Sequence, residues 1–153
     1  MAKKDVELAE RLRDVDLDIL PEILGFNVKR AENVLWREYS EAIGEFVVKH
    51  GTFSVMVLIG ANAGIAQTEI AKTLFIDKAI MVSLIDNLEE LGWVVRKRAT
   101  YDRRCQTLYL TDDGKDVLSQ LKRRVRQHEK KFSDRFTPAE LSQFQDFLRR
   151  ILE

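Results

Sequence analysis

Between Ile65 and Leu110 the hydrophobic period changes from helical to extended, and few folds accommodate that change in so short a span. From Gln67 to Leu74 the residues Ile70, Ala71 and Leu74 share one face at helical spacing. Phe75-Ile76-Asp77 then breaks the pattern, and Asp77 is a good N-cap because its carboxylate accepts from orphan amides of the next helix. A second helix is predicted from about Lys78 to Leu91, with Met81, Leu84, Ile85 and Leu88 at i, i+3, i+4 and i+7. Gly92 fits the C′ position that ends it. The opposite face carries Lys78, Ala79, Val82, Ser83, Asp86 and Asn87. Near its N-terminus that face is small and polar, as suits a helix that must approach base edges.

After Gly92, Trp93-Val94-Val95 and Thr107-Leu108-Tyr109-Leu110 read as strands, rich in β-branched and aromatic residues. Ile65-Ala66 is short enough to be an added strand of the same ribbon. Between the two longer strands, Arg96, Lys97, Arg98, Arg103 and Arg104 face a single acid, Asp102. A hairpin tip so basic suits phosphate binding or probing of a minor groove. An ordinary solvated hairpin is the alternative, and the position directly after a helix pair of suitable lengths favours the first reading. Two short helices, a tight break and a basic ribbon make a winged helix-turn-helix, a device that places one helix in a DNA major groove.

Three motifs in combination resemble the signature of the MarR family of bacterial transcriptional regulators. They are Leu88-Glu89-x-x-Gly92-Trp93-Val94-x-Arg96, Asp102-Arg103-Arg104, and Leu110-Thr111-x-x-Gly114. The resemblance runs from about Thr52 to Gly114 by motif, and into the flanking helices by length and placement. It implies that Asp102 shapes the wing and that Arg104 reaches the minor groove. The chain departs from the family at Val82 and Ser83, where Thr and Arg are frequent. Apolar contact of Ala79 or Val82 with thymine methyl groups is chemically reasonable there.

Around this lobe the chain is helical. Val6 to Leu20 alternates apolar and charged residues, as an amphipathic arm or short helix would. A long helix is expected from about Pro21 to Lys49, closed by His50-Gly51. Its apolar residues, among them Leu24, Val28, Leu35, Trp36, Tyr39, Ile43 and Phe46, form a stripe wider than a surface helix needs. Such a helix must pack on two things, its own lobe and a partner subunit. Thr52 is expected to cap a nearly all-apolar helix from Phe53 to about Ala61. Thr111 starts another, running to about Phe132, with Asp112 and Asp113 favourable to its dipole and an exposed basic face of Lys122, Arg123, Arg124, Arg126, Lys130 and Lys131. Thr137-Pro138-Ala139-Glu140 is a capping box with Pro at N1, opening a last helix whose stripe is Leu141, Phe144, Leu148 and Ile151. That helix has no lobe left to cover, so it is expected to interlock with a second chain. The expected architecture is mostly α with a small β-ribbon, one domain over 1–153. Within it, 1–50 and 112–153 supply dimerisation helices and 52–111 the DNA-binding lobe.

Trp36, Tyr39, Ile43 and Phe46 read by spacing as core or dimer seam, or as the wall of a ligand cavity. The family resemblance implies the cavity, because many such regulators bind small aromatic acids between this helix and the DNA-binding lobe. Arg30, Arg37 and His50 are then the candidate carboxylate partners, and an acyl-CoA thioester is a further candidate effector whose phosphates would meet basic side chains.

The formal net charge is zero, which argues against nucleic-acid binding only if the placement of charge is ignored. No apolar run is long enough to span a membrane, and the N-terminus lacks the apolar core of a signal peptide. A single cysteine, Cys105, fits a reducing cytoplasm and leaves a redox-sensing role as an alternative, since Arg103 and Arg104 would favour its thiolate. His50 and His128 lack metal-ligand spacing, and no phosphate loop or nucleophile elbow is present, so neither metal, cofactor nor catalysis is expected. The sequence therefore predicts a homodimeric regulator on a palindromic double-stranded operator, a repressor released by an aromatic carboxylate or aromatic acyl-CoA. The expected DNA contacts are Gln67, Thr68, Lys78, Ala79, Val82, Ser83, Asn87, Arg96, Arg98, Asp102, Arg103 and Arg104. The competing reading is a winged-helix protein-interaction module without DNA binding, against which the basic wing argues.

Overall fold

The computed structural model describes residues 15–43, 46, 49–98 and 106–153. A 3-10 turn at Leu20–Glu22 leads into helix α1 (Leu24–Ile43) and helix α2 (Thr52–Ala61). Strand β1 (Ile65–Ala66), helices α3 (Gln67–Thr73) and α4 (Lys78–Glu90), and strands β2 (Val94–Arg98) and β3 (Gln106–Leu110) follow. Helices α5 (Asp112–Ser133) and α6 (Pro138–Leu152) complete the chain. The strands form one antiparallel sheet in the order β1-β3-β2, with Ile65 opposite Leu108 and Val95 opposite Tyr109. The fold is thus mostly α with a small ribbon. Residues Met1–Glu38 and Tyr39–Glu153 form separate compact units.

The core of the second unit gathers Val55, Met56 and Ile59 of α2, Ile70 of α3, Val94 and Leu108 of the ribbon, and Leu118 and Leu121 of α5. Helix α4 contributes Met81, Leu84, Ile85 and Leu88, all buried. These are the four residues at helical spacing, and each contributes about 1.5–3 kcal/mol on burial. The break before α4 turns through Phe75, whose φ of 52° is unusual for a residue with a side chain and costs about 1–2 kcal/mol. The turn closes with the Ile76 amide donating to the Ala71 carbonyl at 3.0 Å. Asp77 caps α4 by accepting from the Ala79 amide at 2.7 Å.

The exit from α4 and the entry to α5 are built as one junction. Gly92 turns the chain with φ 73°. The Thr111 hydroxyl donates to the Gly92 carbonyl at 2.7 Å and accepts from the Gly114 amide at 2.9 Å. The Thr111 amide donates to the Trp93 carbonyl at 3.0 Å. Gly114 lies so close to that strand entry that a Cβ would stand 2.0 Å from the Trp93 carbonyl oxygen.

Several expectations are corrected. The first long helix spans Leu24–Ile43 rather than Pro21–Lys49. Pro21 sits in the 3-10 turn, Ile23 is extended, and the Asn27 side-chain amide donates to the Pro21 carbonyl at 2.8 Å before the helix settles. At the far end Gly44 follows in sequence, a poor helix former, and the Ile43 carbonyl accepts instead from the Arg124 guanidinium at 2.8 Å. Arg124 is therefore half-buried against the end of α1, not part of the exposed basic face of α5. Thr52 does not cap α2; Gly51, with φ 87°, precedes that helix, and the Thr52 side chain is fully buried inside its first turn. The proposed arm at Val6–Leu20 lies outside the described residues up to position 14, and Leu17–Leu20 forms turns, with Asp18 at φ 49°.

Gly114→Ala should lower unfolding stability by at least about 3 kcal/mol, because the added methyl meets backbone that cannot yield without parting α5 from the ribbon. Urea denaturation followed by circular dichroism measures this; a loss below about 1 kcal/mol would mean that the junction is soft.

Candidate nucleic-acid interface

Asp77 and the four buried residues of α4 orient that helix, leaving Lys78, Ala79, Val82, Ser83 and Asp86 exposed and Asn87 half-buried. Helix α3 presents its N-terminus beside it. Gln67 is half-buried and Thr68 exposed, while Glu69 reaches back to accept from the Ala66 amide at 3.0 Å. Between α3, α4 and the start of β3 lies a groove of about 730 Å³. Its polar rim is Gln67, Thr68, Lys72, Lys78 and Gln106, over a floor that includes Met81. Gln67, Thr68 and Lys78 are among the expected DNA contacts, and the fold places them on one groove. Lys72 and Gln106 were missed. Lys72 follows Thr68 at i+4 and so shares its helical face, a signal present in the sequence; Gln106 joins only through the pairing of β3.

The Ser83 hydroxyl accepts from the Lys49 ammonium at 3.1 Å, which ties the exposed face of α4 to the segment before α2. Arg96 is engaged more heavily. Its guanidinium reaches Asp86 at 2.6 Å and also bonds Glu89, and its amide donates to Glu89 at 3.0 Å. With only 20% of its side chain exposed, Arg96 clamps β2 to α4. The two-residue period of a strand puts Arg98 on the same face as Arg96, exposed and farther along β2. Lys97 lies on the other face, its ammonium 4.7 Å from the centre of the Tyr109 ring. Asp102, Arg103, Arg104 and Cys105 lie outside the described residues.

The ligand candidates divide between the two units. Arg30, Trp36 and Arg37 belong to the turns of α1 in the first, where the Arg30 guanidinium stands 5.5 Å from the centre of the Phe26 ring. In the second, Ile43 is core, and Phe46 meets Trp93 edge-on at 6.4 Å with Arg124 over its face at 4.9 Å. His50 is exposed. Tyr39 packs against Phe53 at 6.5 Å and His128 at 5.9 Å, and burial pushes its phenol up to about 12. Among the described residues no group of three His, Cys, Asp or Glu is placed to hold a metal, and no helix is long and apolar enough to cross a membrane.

This arrangement, a capped helix presented beside a clamped ribbon, is that of a winged-helix transcription regulator. The sequence pattern of the MarR family matches residues 48–104. A protein of Thauera aromatica, assigned as the transcriptional regulator of the hcr operon, is 28% identical over 129 residues, covering 84% of this chain and 78% of its own. The transcriptional repressor CouR bound to a 23-mer DNA duplex superposes with a TM-score of 0.83 at 32% identity, covering 92% of this chain and 99% of its own. CouR bound to p-coumaroyl-CoA gives a TM-score of 0.83 at 30% identity with the same coverage. The chain belongs to the MarR family of transcriptional regulators.

Arg96→Met should cost about 1–2 kcal/mol, because it removes a partly buried cation shared by two carboxylates and leaves those carboxylates one helical turn apart. The urea midpoint reads this directly; an unchanged midpoint would make the clamp a surface ornament.

Proposed function

We propose that the chain is a homodimeric repressor of a palindromic operator, released by a small aromatic carboxylate or an aromatic acyl-CoA thioester. The observation that carries this is its similarity, over nearly the whole of both chains, to a repressor known bound to DNA and bound to p-coumaroyl-CoA. Helix α4 would enter the major groove with Lys78, Ala79, Val82, Ser83 and Asn87 toward the bases. Gln67 and Thr68 would hold the phosphate backbone, and Arg96, Arg98, Asp102, Arg103 and Arg104 would form and aim the wing. In this reading Arg96 acts chiefly by fixing the ribbon, since its guanidinium is already shared by Asp86 and Glu89.

Pairing is supported by apolar side chains that are exposed among the described residues. Helix α6 exposes Phe144, Phe147, Leu148, Ile151 and Leu152, and α1 exposes Leu24, Val28, Val34 and Leu35. A two-fold dimer would set its two α4 helices about 34 Å apart, one turn of DNA. Trp36, Tyr39, Ile43 and Phe46, with Arg30, Arg37 and His50, are the proposed ligand contacts. A ligand there releases DNA only if it binds the DNA-incompetent arrangement more tightly than the competent one.

Selection from random duplexes at physiological salt tests the reading. A palindrome with half-sites one turn apart is the expected product, and 4-hydroxycinnamoyl-CoA or free aromatic acids should displace it. Retention without sequence enrichment, even from protein freed of bound ligand, would favour a protein-interaction module. Arg104→Ala should weaken binding to the selected duplex by about tenfold or more while leaving the dimer intact; equal affinity at physiological salt would remove the wing from the interface. A chain ending at residue 137 should sediment largely as monomer, and a stable dimer would place the interface elsewhere.

A further inference from the structure

Lys49 precedes α2 and is not among the expected DNA contacts, yet its ammonium lies on the exposed face of α4, where it donates to Ser83 Oγ at 3.1 Å. Local structure builds this placement. The Thr52 amide donates to the Lys49 carbonyl at 3.1 Å, closing a turn through Gly51 at φ 87°. Gly51 lies close enough to α4 that a Cβ there would stand 3.5 Å from the Leu84 side chain and 3.6 Å from that of Ile76. Asp86, on the same face of α4, is bonded by Arg96 at 2.6 Å and so is already engaged. Among the described residues Lys49 bonds a neutral hydroxyl and no carboxylate. Lys49 and Ser83 are both exposed. A cation thus reaches the middle of the α4 face from a segment outside the helix pair.

We infer that Lys49 and Ser83 together read one guanine in each half-site of the operator. This rests on the repressor reading above and names a base that the interface would select. The hydrogen bond between the two side chains has one possible direction. An ammonium carries no lone pair, so Ser83 Oγ accepts and its own proton remains to be donated. The pull of the ammonium on that oxygen leaves a strong donor and a poor acceptor. The pair therefore offers two neighbouring donors. In the major groove guanine presents two acceptors side by side, N7 and O6. Adenine sets an amino donor beside its N7, and cytosine presents an amino donor, either of which would stand against the ammonium. Thymine offers one acceptor beside a methyl group. A phosphate would also accept from the pair, but position favours a base. At helical spacing Ser83 shares with Ala79 and Asp86 the line opposite the buried residues of α4. That line of a groove-bound helix meets base edges, and phosphates lie at its flanks. Ala79, one turn before Ser83, is small enough to let a base approach.

The test repeats the selection from random duplexes with the full wild-type chain, Lys49→Met and Ser83→Ala. The wild type should enrich a palindrome in which one guanine per half-site loses its preference in both variants while the other positions keep theirs. Affinities for the selected duplex, and for one with that G·C pair replaced by A·T, are then compared at reduced salt, where phosphate contacts sustain binding of the variants. The wild type should prefer the guanine by about tenfold or more, and Lys49→Met should bind the two duplexes within about twofold of each other. Lys49→Arg should keep the preference, because a guanidinium also donates to guanine N7 and O6. Both positions are exposed, so the variants should melt with the wild type. A consensus in which no guanine depends on Lys49 and Ser83 would overturn the inference and leave sequence-specific binding standing. So would a loss in Lys49→Met that is equal on every duplex and lowers the salt slope by about 0.9 per subunit, since that assigns Lys49 to a phosphate. Enrichment of no sequence by the wild type would overturn the repressor reading itself, and this inference with it.

Discussion

The approach of α5 to the Trp93 carbonyl is the constraint on which the rest of the lobe depends. A helix can come that near to strand backbone only where there is no side chain, and Gly114 supplies the gap. Thr111 then spends one hydroxyl twice, donating to the end of α4 and accepting from the first turn of α5. Three elements meet at this point: helix α4, the ribbon that flanks it, and helix α5. A motif that resembles a family signature is, in physical terms, a weld between these elements.

The ribbon is held from a second side by Arg96. The guanidinium is shared between Asp86 and Glu89, two carboxylates that project from one helix a turn apart, and so ties the strand to α4. Positive charge on such a ribbon is commonly counted as phosphate-binding. Arg96 is instead engaged within the protein, while Lys72, Lys78, Lys97 and Arg98 are exposed among the described residues. Arg124 follows the same logic midway along α5, where it bonds the last carbonyl of α1 and covers the Phe46 ring.

The exposed face of the candidate site was legible where the signal is local. Lys78, Ala79, Val82 and Ser83 follow from the spacing of Met81, Leu84, Ile85 and Leu88, since the exposed face of a helix is the complement of its buried one. Gln67 and Thr68 follow from the start of a short helix. What escaped is made by partners distant in sequence. Gln106 reaches the groove through strand pairing, Arg96 meets acids seven and ten residues before it, and Arg124 finds a carbonyl eighty-one residues away.

Periodicity, caps and glycines in the linear chain determined the order and type of the elements, because helix and strand formation depend on neighbours a few positions away. They also determined the kind of machine, through a helix pair, a basic ribbon and a shared turn motif. The true ends of α1, the role of Thr52 and the engagement of Arg96 with carboxylates and Arg124 with a helix end were settled only by packing. Those outcomes turn on which groups lose water together. That is a property of positions in space, to which a one-dimensional pattern has no access.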